Sequence, residues 1–267
     1  MKRPLILWIL AIVVTLSSVV YQRLTGPTHA MRGKAVLDGE VIHYKLLRSQ
    51  ETTGDAVMKI EVPSRQTTGA LRWRRLRSND EWRPDPLQRR GDTLIATIPR
   101  QPAAGKVIYT VSLTDGQGVE HLLSPEPVVI RFKGAVPDTI LFPHVVLMFV
   151  AMLLATRTGL EAIAKNRNAY RFTAWTAVLF LVGGIILGPI VQKYAFGEFW
   201  TGWPFGHDLT DNKTAVAMFS WLIPLWRGRD LKKSRVWIIV AMAVTLLVYL
   251  IPHSLLGSEL DYTQAGG

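Results

Sequence analysis

The sequence predicts a membrane protein with an N-terminal transmembrane anchor, an all-β sandwich and then a four-helix transmembrane bundle. With 49% hydrophobic residues and a mean hydropathy of +0.20, the 267-residue chain is too apolar for one ordinary soluble domain. A polar block over residues 30–134 separates an apolar N-terminal run from several apolar runs that follow it. Within this block apolar side chains alternate with a period of two, which is typical of half-buried strands.

The composition excludes several classes of site and partner. The chain contains no cysteine, which rules out disulfides, thiolate metal sites, lipoprotein anchoring and covalent c-type haem. The formal net charge is +11, but the basic residues are spread among the apolar runs and strand-like segments instead of forming one patch. Nucleic acid is therefore not an expected partner.

Residues 1–23 are predicted to form the anchor. Lys2 and Arg3 precede an uncharged apolar run over residues 4–20, which suits either a cleaved signal peptide or a retained transmembrane helix. A signal peptidase site needs small residues soon after the apolar core, whereas bulky and polar side chains occupy residues 21–24. We therefore expect a retained anchor whose basic start lies in the cytoplasm.

Residues 30–134 are predicted to form the sandwich. Glycine and aspartate occur together at 54–55, 91–92 and 115–116, where turns are expected between the alternating runs. About seven short strands in roughly 100 residues is the expectation for two packed sheets. The candidate strands are residues 36–47, 56–62, 70–76, 93–98, 107–113 and 128–132.

Residues 79–116, NDEWRPDPLQRRGDTLIATIPRQPAAGKVIYTVSLTDG, resemble fibronectin type III or immunoglobulin-like modules of exported bacterial proteins. In those modules a strand with Trp and Pro and a strand after Gly-Asp precede a hairpin of the type PAG..V.Y.V..TDG. The resemblance covers only about residues 34–132, and the usual immunoglobulin disulfide has no counterpart here. It implies a binding or spacing module with no catalytic residues.

Residues 138–255 are predicted to form the four-span domain. Its apolar runs have about 12 to 20 residues, enough to cross or nearly cross a hydrocarbon core of about 30 Å. The third run is short, so the aromatic loop 192–214 before it is expected to place residues 200–205 at headgroup depth. The four runs are residues 140–156, 172–191, 215–226 and 236–252.

The positive charges predict the orientation of these spans. Basic residues cluster over residues 157–171 and 227–235, so both connections are expected to face the cytoplasm. The sandwich, the loop 192–214 and the C-terminus are then expected in the periplasm of a bacterial inner membrane, with the loop as a cap beneath the sandwich. No Asp, Glu, Lys or Arg falls within the predicted spans, which argues against a proton-driven pump or transporter.

One set of side chains suits a metal site. His144 at the start of the second span, His207 in the loop and His253 at the end of the last span are expected at the same membrane face. Asp208 and Glu259 accompany them. Imidazole nitrogens together with a carboxylate are ligands for zinc, iron or copper.

Structural roles are the alternative for the same region. Histidines at a bilayer interface also act as amphipathic anchors, and Asp211 suits the N-cap of the helix that follows it. Met148 and Met152 lie on one helical stripe after His144, which suits packing as well as ligation of copper or haem.

Two hypotheses of different classes follow. In the first, the protein is a non-catalytic subunit of a larger membrane assembly and presents the sandwich and the cap to other membrane or periplasmic subunits. In the second, it is a redox or metal-handling membrane protein that holds haem b, copper or zinc on its periplasmic-face histidines. The sequence has no phosphate-binding glycine loop, HExxH or GxSxG motif, which favours the first hypothesis.

Overall fold

The chain folds into two compact units. The computed structural model describes residues 2–166, 168–252 and 257–263. The membrane unit comprises Met1–Pro27 and Val136–Ser258, and the β unit comprises Thr28–Ala135 and Glu259–Gly267. The segment after Ser258 therefore belongs to the β unit, although the helices separate it from the rest of that unit in the chain.

The described secondary structure of the membrane unit is helical. Four helical stretches are long and apolar enough to cross a bilayer, namely Pro4–Thr25, Asp138–Ile163, Ala169–Phe196 and Lys232–Leu250. They confirm a multi-pass membrane protein. The elements are α1 (Lys2–Thr25), α2 (Asp138–Ile163), α3 (Ala169–Leu179), a π-helical segment (Phe180–Leu187), α4 (Gly188–Phe196), α5 (Leu209–Trp226) and α6 (Leu231–Leu250).

Helix α5 differs from the predicted third span of the bundle, residues 215–226. It begins earlier, at Leu209, and its first turns carry the polar residues 211–213. With this polar start α5 is not among the helices that are apolar enough to span, so the five-span arrangement stays a prediction. The helix still packs in the bundle, where the buried Trp221 indole N–H donates to Thr245 Oγ1 at 2.9 Å.

Helix α2 continues beyond its predicted span, residues 140–156. Sequence analysis placed Arg157 in a connection between spans, whereas the structure buries it within α2 together with Glu161. Arg157 Nη2 lies 2.5 Å from Glu161 Oε1, and the guanidinium lies over the rings of Trp8 and Phe172. The candidate span Asp138–Ile163 therefore contains a buried ion pair that lies beyond the predicted span 140–156.

The β unit contains three sheets in its described part. The largest has the order β3-β11-β9-β5-β6 with β10 paired to β9, the second has the order β4-β8-β7, and β1 and β2 form the third. The strands are β1 (Met31–Leu37), β2 (Glu40–Leu46), β3 (Ser49–Glu51), β4 (Ala56–Glu61), β5 (Thr68–Arg75), β6 (Arg83–Pro86), β7 (Gln88–Arg90), β8 (Thr93–Ile98), β9 (Lys106–Thr114), β10 (Glu120–Leu122) and β11 (Val128–Lys133).

The predicted strand 36–47 is in fact parts of two strands. Asp38 and Gly39 have positive φ angles of 50° and 79° and close the β1–β2 hairpin, in which Leu37 pairs with Glu40. An Asp-Gly pair is a strong signal for such a two-residue turn, and the sequence prediction passed over it. The other five predicted strands correspond to β4, β5, β8, β9 and β11, with ends that differ by a few residues.

Apolar side chains from all three sheets share one core. Along β4 the buried Ala56, Met58 and Ile60 alternate with exposed side chains, as a half-buried strand requires. Tyr109 on β9 is also buried, and its hydroxyl donates to the Leu47 carbonyl at 2.7 Å. Since the chain has no cysteine, noncovalent packing of this kind holds the unit together.

The C-terminal segment adds polar contacts to the β unit. The N–H of Leu260 donates to the Ala104 carbonyl, and the N–H of Tyr262 donates to the Arg77 carbonyl at 3.0 Å. The Arg75 guanidinium lies 4.6 Å from the centre of the Tyr262 ring. Residues distant in sequence thus complete one end of this unit.

Replacing Asp80 by asparagine is expected to remove an acid-dependent part of the stability of the β unit. Hydrogen bonds from Arg75 lower the pKa of Asp80 from 3.8 to about 2. Because the folded pKa is depressed, this stabilisation is present above pH 4 and is lost as pH falls through about 2. We expect Asp80→Asn to melt below the wild type at pH 5 and together with it near pH 2.

Thermal denaturation at a series of pH values measures this difference. The matched control is Glu81→Gln, which removes the carboxylate of an exposed neighbour. A gap between Asp80→Asn and the wild type that stays constant from pH 5 to pH 2 contradicts the role of the ion pair.

Candidate functional site

The candidate site is the aromatic cap, residues 197–208, which joins α4 to α5 and lies within the predicted loop 192–214. Phe199, Trp203 and Phe205 in this cap have exposed fractions of 55%, 76% and 82%. A group of large, exposed apolar side chains marks a surface that contacts a protein or a membrane.

Asp211, in the first turn of α5, fixes the middle of the aromatic cap. Its Oδ2 accepts hydrogen bonds from the backbone N–H groups of Thr201 at 2.7 Å and Gly202 at 3.0 Å. The same oxygen accepts a hydrogen bond from Nε2 of Gln192, on α4, at 2.9 Å. The Thr201 hydroxyl donates to this oxygen as well, at 3.4 Å. Because one buried carboxylate oxygen binds four donors from two segments, it fixes the backbone of the cap relative to both helices.

Asn212 extends this anchoring to the exposed end of the cap. Its Oδ1 accepts the backbone N–H of Trp203 at 2.6 Å, and the Trp200 indole N–H donates to the Trp203 carbonyl at 3.2 Å. Both backbone polar groups of Trp203 are therefore bound, while its indole ring is exposed.

Asp208 closes the aromatic cap and begins α5. Its Oδ1 accepts the backbone N–H of Thr210 at 2.8 Å, which makes Asp208 the N-cap of α5. Its Oδ2 accepts the N–H and the hydroxyl of Ser258 at 2.9 and 3.0 Å. The Ser258 hydroxyl also lies 2.7 Å from Thr201 Oγ1. The chain that follows α6 is thereby tied to the cap.

Lys213 lies on the buried side of α5. Its ammonium donates to the Ile251 carbonyl at 2.7 Å, and the residue is 6% exposed. A cavity of about 20 Å³ beside it is also lined by Thr214 and Tyr249, which is room for about one water molecule. The membrane unit therefore contains a buried ammonium as well as the ion pair of α2.

His144 and His207 do not lie in a shared cluster of ligands. The His144 ring donates from Nδ1 to the Gly183 carbonyl at 2.8 Å, within the π-helical segment. That carbonyl also accepts the N–H of Gly188, the five-residue spacing of a π-helix. His207 is exposed in the aromatic cap.

The other predicted metal ligands have protein partners or lie outside the described residues. Asp208 is bound as the helix cap, and His253 lies outside the part of the chain that the structure describes. Glu259 belongs to the β unit, where its two oxygens lie 2.7 Å from Arg77 Nε and 2.6 Å from Lys106 Nζ.

No group of three or more His, Asp or Glu side chains that could hold a metal ion occurs among residues 2–166, 168–252 and 257–263. Met152 is fully buried in the core of the membrane unit, and Met148 packs against it. One of the three predicted histidine ligands, His253, lies outside the described residues. A site for zinc, copper or haem b therefore stays a prediction.

Sequence analysis missed most of the residues that organise the aromatic cap. Gln192, Thr201 and Ser258 were not singled out, and Asp211 was interpreted as the N-cap that Asp208 provides. A signal was available in the spacing of the two aspartates, which lie three residues apart at a helix start. When the first caps the helix, the second lies in the first turn and is free to bind the preceding loop.

No protein-family model and no curated protein matches this sequence.

Proposed function

We propose that the protein is a non-catalytic subunit of a larger assembly in a bacterial inner membrane, and that the aromatic cap binds another subunit. The observation that carries the proposal is the exposure of Trp203 and Phe205 on a backbone held by Asp211 and Asn212. A loop that is ordered before binding loses little conformational entropy on binding. Aromatic side chains at the centre of an interface contribute much of its binding free energy.

The β unit provides a second surface in this proposal. Its resemblance to fibronectin type III or immunoglobulin-like modules supports a role in binding or spacing. Both units then present surfaces on the periplasmic side, where other membrane or periplasmic subunits meet them.

A photo-crosslinking amino acid at Phe205 tests the proposal in native membranes. We expect one discrete protein adduct, which mass spectrometry identifies, and its yield should fall at least roughly tenfold when Trp203 is replaced by alanine. The control position is Trp175 on α3, which is 61% exposed on an apolar helix and should give lipid adducts. Lipid adducts alone at Phe205 make the cap an interfacial anchor of the aromatic-belt type and refute the proposal.

The proposal also fixes the topology. Residues 30–135 and the aromatic cap are expected in the periplasm, and residues 157–171 and 227–235 in the cytoplasm. Alkaline phosphatase fused after Gly116 should be active, and the same enzyme fused after Gly228 should be inactive. Activity at both positions shows that α5 does not cross the bilayer.

A further inference from the structure

The α5–α6 connection, residues 227–233, carries an excess of positive charge. Its cations are Arg227, Arg229, Lys232 and Lys233, its single carboxylate is Asp230, and all five side chains are exposed. Asp230 lies 3.9 Å from Lys233. Among the described residues, Arg227, Arg229 and Lys232 make no ion pair with a carboxylate. The connection therefore presents three cations that no carboxylate neutralises.

Aromatic rings orient both arginines of the connection. The Arg227 guanidinium lies over the rings of Trp226 and Trp237, 6.0 Å and 5.5 Å from their centres. The Arg229 guanidinium lies 5.9 Å from the centre of the Tyr170 ring, at the start of α3. A guanidinium that stacks on a ring face keeps the N–H groups at its edge for another partner. Both arginines are thus positioned, and both can still donate hydrogen bonds.

The connection lies at one end of the apolar helices of the membrane unit. Arg235 Nε donates to the Ala162 carbonyl at 3.0 Å, which brings the start of α6 to the end of α2. The contact between Arg229 and Tyr170 brings the connection to the start of α3. Helices α2, α3 and α6 all contribute candidate membrane spans. Cations and aromatic rings therefore surround the point at which three apolar helices meet the polar edge of the bilayer.

Exposed apolar side chains adjoin these cations. Trp226, at the end of α5, is 83% exposed, and Val236 and Val240 on α6 are 65% and 42% exposed. Apolar side chains on the outside of a membrane helix contact acyl chains. An anion bound at the connection therefore has acyl chains beside it, which favours a phosphate that is itself part of a lipid.

We propose that the α5–α6 connection binds an anionic phospholipid through its headgroup phosphate. Arg227 and Arg229 provide planar guanidinium groups, which match two oxygens of one phosphate, and Lys232 adds a third positive charge. The acyl chains of the same lipid lie along α5 and α6 against the exposed apolar side chains. A zwitterionic phospholipid carries a cationic group beside its phosphate, so it matches three cations less well.

Native mass spectrometry of the full chain in detergent tests the class of ligand. The probes are dioleoyl phosphatidylglycerol, which is anionic, dioleoyl phosphatidylcholine, which is zwitterionic, and glycerol 3-phosphate, which has a phosphate but no acyl chains. We expect saturable binding of phosphatidylglycerol, roughly tenfold weaker binding of phosphatidylcholine and no binding of glycerol 3-phosphate at the same concentrations. Equal affinity for the two lipids, or equal affinity for phosphatidylglycerol and glycerol 3-phosphate, overturns the proposal.

The double variant Arg227→Gln with Arg229→Gln tests the site itself. It should bind phosphatidylglycerol roughly tenfold more weakly, because each basic side chain near an anionic headgroup strengthens the attraction. The matched control is Arg23→Gln with Lys165→Gln, which removes two exposed cations of the same unit and should change the affinity by less than about twofold. All four positions are exposed, so both variants should melt within about 2 °C of the wild type. An equal loss of binding in both variants shows that net charge alone attracts the lipid, and the connection is then not a site.

Discussion

Replacing Glu161 by alanine is expected to destabilise the membrane unit by about 3–5 kcal/mol. The substitution leaves the guanidinium of Arg157, a residue that is 2% exposed, without its carboxylate partner. Arg157 Nε and Nη1 already lack a hydrogen-bond partner, so only the rings of Trp8 and Phe172 are left to stabilise the charge. Thermal denaturation of the purified protein in detergent, followed by tryptophan fluorescence, measures the loss.

Two further variants separate the effect of charge from that of packing. The double substitution Arg157→Met with Glu161→Leu removes both charges and keeps most of the buried volume, so its stability should lie within about 1–2 kcal/mol of the wild type or above it. Glu198→Ala removes an exposed carboxylate from the same unit and should change the stability by less than about 0.5 kcal/mol. A double variant as unstable as Glu161→Ala shows that the loss comes from packing and contradicts the charge argument.

The buried ion pair also explains why the C-terminal end of α2 was not predicted. A span is recognisable from length and hydropathy alone, and the four stretches that meet this condition were all anticipated. The end of α2 was not, because the predicted span ends before the first charged residue, Arg157. Arg157 and Glu161 lie four residues apart, a spacing that places opposite charges on one helix face. That pattern was visible in the sequence and predicts a helix that continues.

Strands were predictable where apolar and polar side chains alternate along them. β4 has three buried side chains at every second position, and its predicted range differs by one residue at its end. β6 has no such pattern, since its sequence RPDP is exposed throughout. Proline is tolerated there because β6 lies at the edge of the largest sheet. Only pairing with β5, which depends on the folded chain, identifies β6 as a strand.

The aromatic cap was located from composition, but its internal order was not predictable. Asp208 binds Ser258 across 50 residues of sequence, and Asp211 binds Gln192 across 19. No local periodicity connects such partners, since they meet only when α4, α5 and the chain after α6 have packed. A sequence shows that these groups are polar. The fold decides that they bind one another.

Replacing Asp211 by alanine is expected to release the aromatic cap and to destabilise the membrane unit by about 3–5 kcal/mol. The N–H groups of Thr201 and Gly202 lose their acceptor, and the Thr201 hydroxyl and the Gln192 amide lose one of their partners. Each buried unsatisfied donor costs about 1–3 kcal/mol. The total stays below the simple sum because the freed loop can reach water. Thermal denaturation gives the global loss, and limited proteolysis within residues 197–208 reports the release of the cap.

Asp211→Asn is the matched variant, because its amide oxygen can still accept hydrogen bonds while the charge is removed. Neutral hydrogen bonds are about half as strong as charge-assisted ones, so we expect a loss of about 1–2 kcal/mol and a cap that resists proteolysis. If the aromatic cap must be ordered to bind another subunit, Asp211→Ala should lose the protein adduct formed by the photo-crosslinker at position 205. Asp211→Asn should keep this adduct. An alanine variant whose cap is readily cleaved and which nevertheless forms the adduct at full yield shows that Trp203 and Phe205 bind without a fixed backbone, and the argument from pre-ordering then fails.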